Sequence, residues 1–174
     1  MLGAVTEHTA NIWIRTTMPA TVTCTLSKGG VTTQKVHTTL ESDNTCIIKF
    51  DNLKKETKYQ YVVRVGKSEN QATFTTLGSS LTQKSIKIVY GYGYNHGQNK
   101  MKPETSVFMN MAARKANLIL FLGDFPYTAR GSKDEVRKGN KELRDVIGFK
   151  QLTSSTPTYG IYDDHDFGPN DCDG

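Results

Sequence analysis

Residues 1 to about 77 alternate polar and apolar side chains with the period of two that a β-strand imposes. In Thr9–Arg15, Ala10, Ile12 and Ile14 share one face. Thr21–Leu26 alternates again and runs into a Ser27-Lys28-Gly29-Gly30 turn signal. Thr45–Phe50 is a further strand, and in Leu53–Val65 the residues Tyr59, Tyr61, Val63 and Val65 line one side. Gln71–Thr76 closes the set. Six or seven short strands between Gly, Asp, Asn and Ser turns predict a β-sandwich, with Trp13 as its simplest core aromatic.

The period then changes. Residues 78–84 read as a linker, and residues 85–174 read as an α/β unit. Ser85–Tyr90 is an apolar strand, and Pro103–Ala116 has helix spacing with Val107, Phe108, Met111 and Ala112 on one side. Leu118–Leu122 is a continuous apolar run, expected of a strand covered on both faces. Asp134–Leu152 predicts a helix, and Thr158–Tyr162 a third strand. The order β-α-β-α-β is that of a parallel sheet with crossover helices.

Composition narrows the function classes. The chain has 174 residues with a formal net charge of +5, and its basic residues are scattered rather than massed on one face. That pattern argues against a nucleic-acid partner. No stretch reaches the length of a membrane helix, and no basic start followed by an apolar run marks a leader. Cys24, Cys46 and Cys172 contain no CxxC pair; Cys24 and Cys46 fall in strand-like segments and read as buried small hydrophobes before they read as a disulfide.

In open α/β sheets, ligands gather beyond the carboxyl ends of the strands. Gly91-Tyr92-Gly93-Tyr94-Asn95-His96 follows the first strand, Gly123-Asp124-Phe125-Pro126-Tyr127 the second, and Asp163-Asp164-His165-Asp166 the third. Carboxylates brought to one edge repel one another unless a cation joins them, so the string, with an imidazole in it, is expected to supply hard metal ligands. Asp124 is the expected bridging ligand, with Asp164 or Asp163 on one ion and His165 as proton donor or transition-state clamp. The glycine pattern Gly91, Gly93, Gly97 has the wrong spacing for a dinucleotide loop, and no GxSxG nucleophile motif occurs.

Three stretches carry a family resemblance: Leu122–Tyr127 as LGD-x-x-Y, Tyr162–Asp171 as a DDHD-FG-x-ND block, and the β-rich start around Ile12–Arg15. Together they resemble the alkaline phosphatase D group of metallophosphoesterases, in the calcineurin-like superfamily. The Leu53-to-Tyr59 stretch resembles the corner of a fibronectin type III domain. These resemblances imply a fibronectin type III-like sandwich followed by the first half of an α/β metallophosphoesterase domain. The implied activity is hydrolysis of phosphate mono- or diesters. The implied cofactors are iron and calcium, with manganese or zinc as alternatives, and such enzymes are typically exported.

By the same resemblance Asp124, Asp164, Asp163 and Tyr127 are expected as metal ligands and His165 as the catalytic histidine. Asn170 and Asn95 are the expected substrate contacts. Two departures stand out. Tyr92-Gly93 occupies the place of a Ser-Cys pair whose thiolate ligates iron in the family, and the downstream His and Asp motifs are not in this chain. The chain therefore reads as an N-terminal portion of such an enzyme, with association expected through its exposed α/β surface. The alternative is a non-catalytic binding module or degenerate paralogue carrying a fibronectin-like domain.

Overall fold

Antiparallel pairing dominates the first 75 residues. In the computed structural model, which describes residues 1–27, 32–82, 85–95, 107–127 and 132–172, the chain divides into two compact units, Met1–Ser85 and Ile86–Gly174. The Lys28–Gly30 turn, His96, Gly97, the Pro103 helix start and the end of the linker lie outside the described residues.

Among the described residues, the first unit holds seven strands: β1 (Leu2–Gly3), β2 (Ala10–Arg15), β3 (Thr21–Ser27), β4 (Thr32–His37), β5 (Thr45–Phe50), β6 (Lys58–Val65) and β7 (Ser68–Thr75). They form a three-stranded sheet in the order β1-β2-β5 and a four-stranded sheet in the order β4-β3-β6-β7. Ile12 and Ile48, paired across β2 and β5, share one core with Val22, Cys24, Tyr59, Tyr61 and Phe74 of the other sheet. The arrangement is a sandwich.

Period-two alternation explains a correction. Because Ile12 points inward, Trp13 must point outward, and it stands opposite half-exposed Ile47 rather than in the core. The core aromatics are Phe50, Tyr59, Tyr61 and Phe74. β4 shows no alternation because it is an edge strand with almost every side chain exposed. The expected corner is present: the Lys54 backbone N–H donates to the Tyr59 hydroxyl at 2.8 Å, beside buried Leu53. Cys24 and Cys46 are buried thiols. Burial pushes Cys24 up to about 12, and nearby Cys46 adds to the shift.

The second unit is a parallel sheet in the order β10-β9-β8, made of β8 (Ile88–Gly91), β9 (Leu118–Phe121) and β10 (Thr158–Gly160). Among the described residues, three α-helices accompany it: α1 (Val107–Ala113), α2 (Lys133–Asp145) and α3 (Ile147–Ser155). Ser132 opens α2 with a capping box, its hydroxyl accepting from Glu135 N while the Glu135 carboxylate accepts from Ser132 N.

The single helix expected over Asp134–Leu152 is two helices, because Val146 is extended at φ −63° and ψ 120°. The break has a packing reason. In α2 only Leu143 is buried, whereas α3 buries Gly148, Phe149, Leu152 and Thr153, so a change of direction lets the short apolar segment reach the sheet.

β9 also departs from expectation. Ile119 and Phe121 are buried beneath α1 and α3, while Leu118 and Leu120 on the other face are half-covered among the described residues. Phe121 stacks on Phe125 with ring centroids 3.7 Å apart, and Phe108 and Phe149 meet edge-on at 5.2 Å. This aromatic cluster forms the floor beneath the loop that leaves β9.

Candidate metal centre

Three loops leave the carboxyl ends of β8, β9 and β10 and are tied by backbone hydrogen bonds. Gly93 N donates to Gly123 O at 3.3 Å, Tyr94 N to Asp124 O at 3.0 Å, and Tyr127 N to Tyr94 O at 2.8 Å. Gly123 allows the β9 and β10 loops to meet. Its φ is +101°, and a Cβ there would lie 2.5 Å from the Asp163 Cβ and 3.0 Å from Asp163 N. Asp124 follows at φ +53°, a left-handed conformation that turns its carboxylate across the strand ends.

A short 3-10 turn, Asp164–Asp166, follows β10. Asp163 caps it, with Oδ1 accepting from Asp164 N at 2.9 Å. Asp166 answers with Oδ2 accepting from Asp163 N at 2.9 Å. The same Asp166 carboxylate also accepts from Asp124 N at 2.8 Å and Phe125 N at 3.0 Å. The acidic string thus divides by role: Asp166 spends its oxygens on backbone N–H groups that hold two loops together.

Asp124, Asp164 and His165 each offer a ligand atom within 4.8 Å of the others. Asp124 is 3% exposed and His165 6% exposed. The Asp124 Oδ2 accepts from the Tyr92 hydroxyl at 2.9 Å, while its buried Oδ1 has no hydrogen-bond partner among the described residues. A buried carboxylate oxygen left unpaired costs about 1–3 kcal/mol or more, so its position fits a cation better than an empty contact. Asp164 Oδ1 accepts from His165 N at 2.8 Å, and Oδ2 accepts from the Asp171 backbone N–H. The Asp171 N–H first, and the His165 N–H after it, hold the Asp164 carboxyl below its ordinary range. His165 Nε2 lies 4.0 Å from Asp164 Oδ1, and the His165 ring sits 3.9 Å from that of Tyr127.

All seven residues singled out in the sequence, His165, Asp124, Tyr127, Asp164, Asp163, Asn170 and Asn95, line one cleft of about 600 Å³. Tyr92 lines it too, and its phenol is pushed up to about 12, first by its hydrogen bond to Asp124. The sequence marks Tyr92 only as part of the pair in place of Ser-Cys and Asp166 only as one of the acidic string, and it gives Gly123 no role of its own. Tyr92 follows a strand end, so position alone pointed to the cleft; nothing local marked Asp166 as the brace.

A family described as a domain of unknown function, DUF7800, matches residues 1–82. The solved structure of PhoD superposes on 94% of this chain with a TM-score of 0.78 at 14% identity. The likeness is one of fold. The chain spans 38% of the length of that PhoD structure. A carbohydrate acetylesterase from Xanthomonas citri covers 93% of this chain and 39% of its own, at 14% identity and a TM-score of 0.36, which does not establish a shared fold. No curated protein matches the sequence.

Proposed function

We propose that this chain carries part of the metal-binding edge of a phosphate mono- or diester hydrolase of the alkaline phosphatase D type. The observation that carries the reading is the Asp124–Asp164–His165 cluster, with a buried Asp124 oxygen that has no partner among the described residues. The PhoD-like fold supports it. Asp124, Asp164 and Tyr127, with Asp163 beside them, would hold the ions, iron and calcium, with manganese or zinc as alternatives. Ions bound there would neutralise phosphoryl oxygens and make water a better nucleophile near neutral pH.

The protein's own groups account for the rest. Asp166 fixes the Asp124 backbone and the Tyr92 hydroxyl holds one Asp124 carboxylate oxygen, so the carboxylate is oriented before a substrate arrives. His165, at the floor of the cleft, donates a proton to the leaving oxygen or clamps the transferred group. Asn170 and Asn95, on the cleft wall, hydrogen-bond the phosphate.

Calorimetric titration with each ion, followed by assay on p-nitrophenyl phosphate and its bis ester, tests the reading. Ion binding that disappears in Asp124→Asn, with turnover that disappears in His165→Ala, is the expected result. Binding without turnover leaves a metal-binding module in place of a hydrolase. If no ion binds, the proposal fails.

A further inference from the structure

Tyr92 stands just past β8 with its side chain mostly in water, yet its hydroxyl is turned onto two carboxylates. It lies 2.9 Å from Asp124 Oδ2 and 3.4 Å from Asp163 Oδ2. A hydrogen bond from a phenol to a carboxylate contributes modestly, less where water competes, and it holds the Tyr92 oxygen beside the Asp124 carboxylate. Two oxygens bound side by side to one small hard cation, at bonds of ~2.0–2.1 Å and a right angle, lie ~2.9 Å apart. An ordinary O–H···O hydrogen bond has the same span, so the Tyr92 hydroxyl and Asp124 Oδ2 stand where a cation can take the place of the proton between them without moving either oxygen. Beside them is the buried Asp124 Oδ1, without a partner among the described residues. Tyr127 brings a second phenol to the same cleft. Two phenols, carboxylates and one imidazole form a hard oxygen-rich donor set, suited to a trivalent iron ion.

We propose that Tyr92 is a metal ligand, its phenolic oxygen joining Asp124 on one ferric ion. This rests on the metal-binding reading above. On binding, the Tyr92 O–H bond breaks as the oxygen–iron bond forms, and the proton passes to water. No electron is transferred. The hydrogen bond from Tyr92 to Asp124 in the metal-free chain then acts as a placeholder, keeping the two oxygens at ligand spacing.

The test is titration of the chain with a ferric chelate, reading the visible phenolate-to-iron absorption and the tyrosinate bands in resonance Raman spectra. Wild type is expected to develop the absorption. Tyr92→Phe and Tyr127→Phe should each lose about half of it, and the double variant all of it. Tyr92→Asp, which keeps an oxygen donor but no phenol, should retain iron while losing the Tyr92 share. If Tyr92→Phe keeps the full absorption, or if iron binds with no such absorption in wild type, the Tyr92 assignment is overturned while metal binding stands. If wild type takes up no more iron than Asp124→Asn, the metal-binding reading itself is overturned.

Discussion

Asp166 holds Asp124 in place without touching its carboxylate: Asp166 Oδ2 accepts the Asp124 backbone N–H at 2.8 Å. The neighbouring Oδ1 accepts from Phe125 N, and Oδ2 is shared with Asp163 N. One side chain therefore sets the distance between the β9 and β10 loops. Replacing it with alanine strands three backbone donors and should cost about 2–4 kcal/mol, since hydrogen bonds to charged groups contribute ~1.5–3 kcal/mol each and water will recover part. Asp166→Asn keeps one acceptor oxygen and should cost less than half as much. Urea denaturation measures both; equal stability of the alanine variant and wild type would show that the brace is not needed.

Gly123 makes the same junction sterically possible. In Gly123→Ala the new methyl meets the Asp163 backbone and Cβ, at a φ of +101° that side chains rarely adopt. The loops must part, so a loss of about 2–4 kcal/mol is expected, combining overpacking with backbone strain. Gly66 is the control, because its φ is +55° but a Cβ there meets nothing within 4 Å. Gly66→Ala should cost only the ~1–2 kcal/mol of a left-handed residue. Thermal melts of the two variants side by side separate steric clash from backbone preference.

At the sandwich corner, Thr76 and Tyr59 serve the same residue. The Thr76 hydroxyl donates to Lys54 O at 2.6 Å, and the Tyr59 hydroxyl accepts from Lys54 N at 2.8 Å. Both side chains are almost fully buried. Tyr59→Phe and Thr76→Val should each destabilise by about 1–2 kcal/mol, because each strands a backbone group on Lys54. The double variant should cost less than the sum, the two bonds sharing one turn. A double-mutant cycle by chemical denaturation reads the difference, and strict additivity would argue against coupling.

The buried thiol predicts the alkaline limb of stability. Burial raises Cys24 from 9.0 to about 12, and burial also raises Cys46 and Tyr61. The folded state keeps its proton where the unfolded chain has lost it, so the Cys24 contribution is complete below 9.0 and disappears as pH climbs to about 12. Within that window stability should fall with pH by up to about 1.4 kcal/mol per unit for this group. Cys24→Ala should lower stability near neutrality by leaving a small void, but flatten the alkaline slope. An unchanged slope in denaturation series across the window would contradict the assignment.

Legibility followed burial. β2, β3, β5 and β6 could be read because one face is wet and the other dry, and alternation records that difference. β4 could not, because both of its faces are wet. Trp13 was misplaced by weighing its bulk above its register, although Ala10, Ile12 and Ile14 already assigned it to the outer face. Val146 broke a helix that periodicity ran through, since turning α3 toward the sheet is a tertiary demand. At the cleft, strand ends carried the signal, and Asp124, Asp164 and His165 bring ligand atoms within 4.8 Å of one another. Asp166 looked identical to its neighbours because what distinguishes it is a bond to a residue 42 positions away.

The unpartnered Asp124 oxygen yields a prediction that opposes stability to binding. Without an ion, the buried Oδ1 has lost water and gained no partner among the described residues, with Asp164 close by in the same cluster. Asp124→Asn removes that charge at nearly constant shape, so the metal-free variant should equal wild type or exceed it by about 1–2 kcal/mol. Adding an ion should reverse the order. Wild type gains RT ln(1 + [L]/Kd), about 2.7 kcal/mol at a hundredfold excess over Kd, whereas Asp124→Asn should gain almost nothing. Thermal melts with and without manganese or ferric ion, each repeated after chelation, read both arms. A variant less stable than wild type in chelator would mean that Asp124 is chiefly structural, and equal metal-induced shifts would remove it from the ligand set.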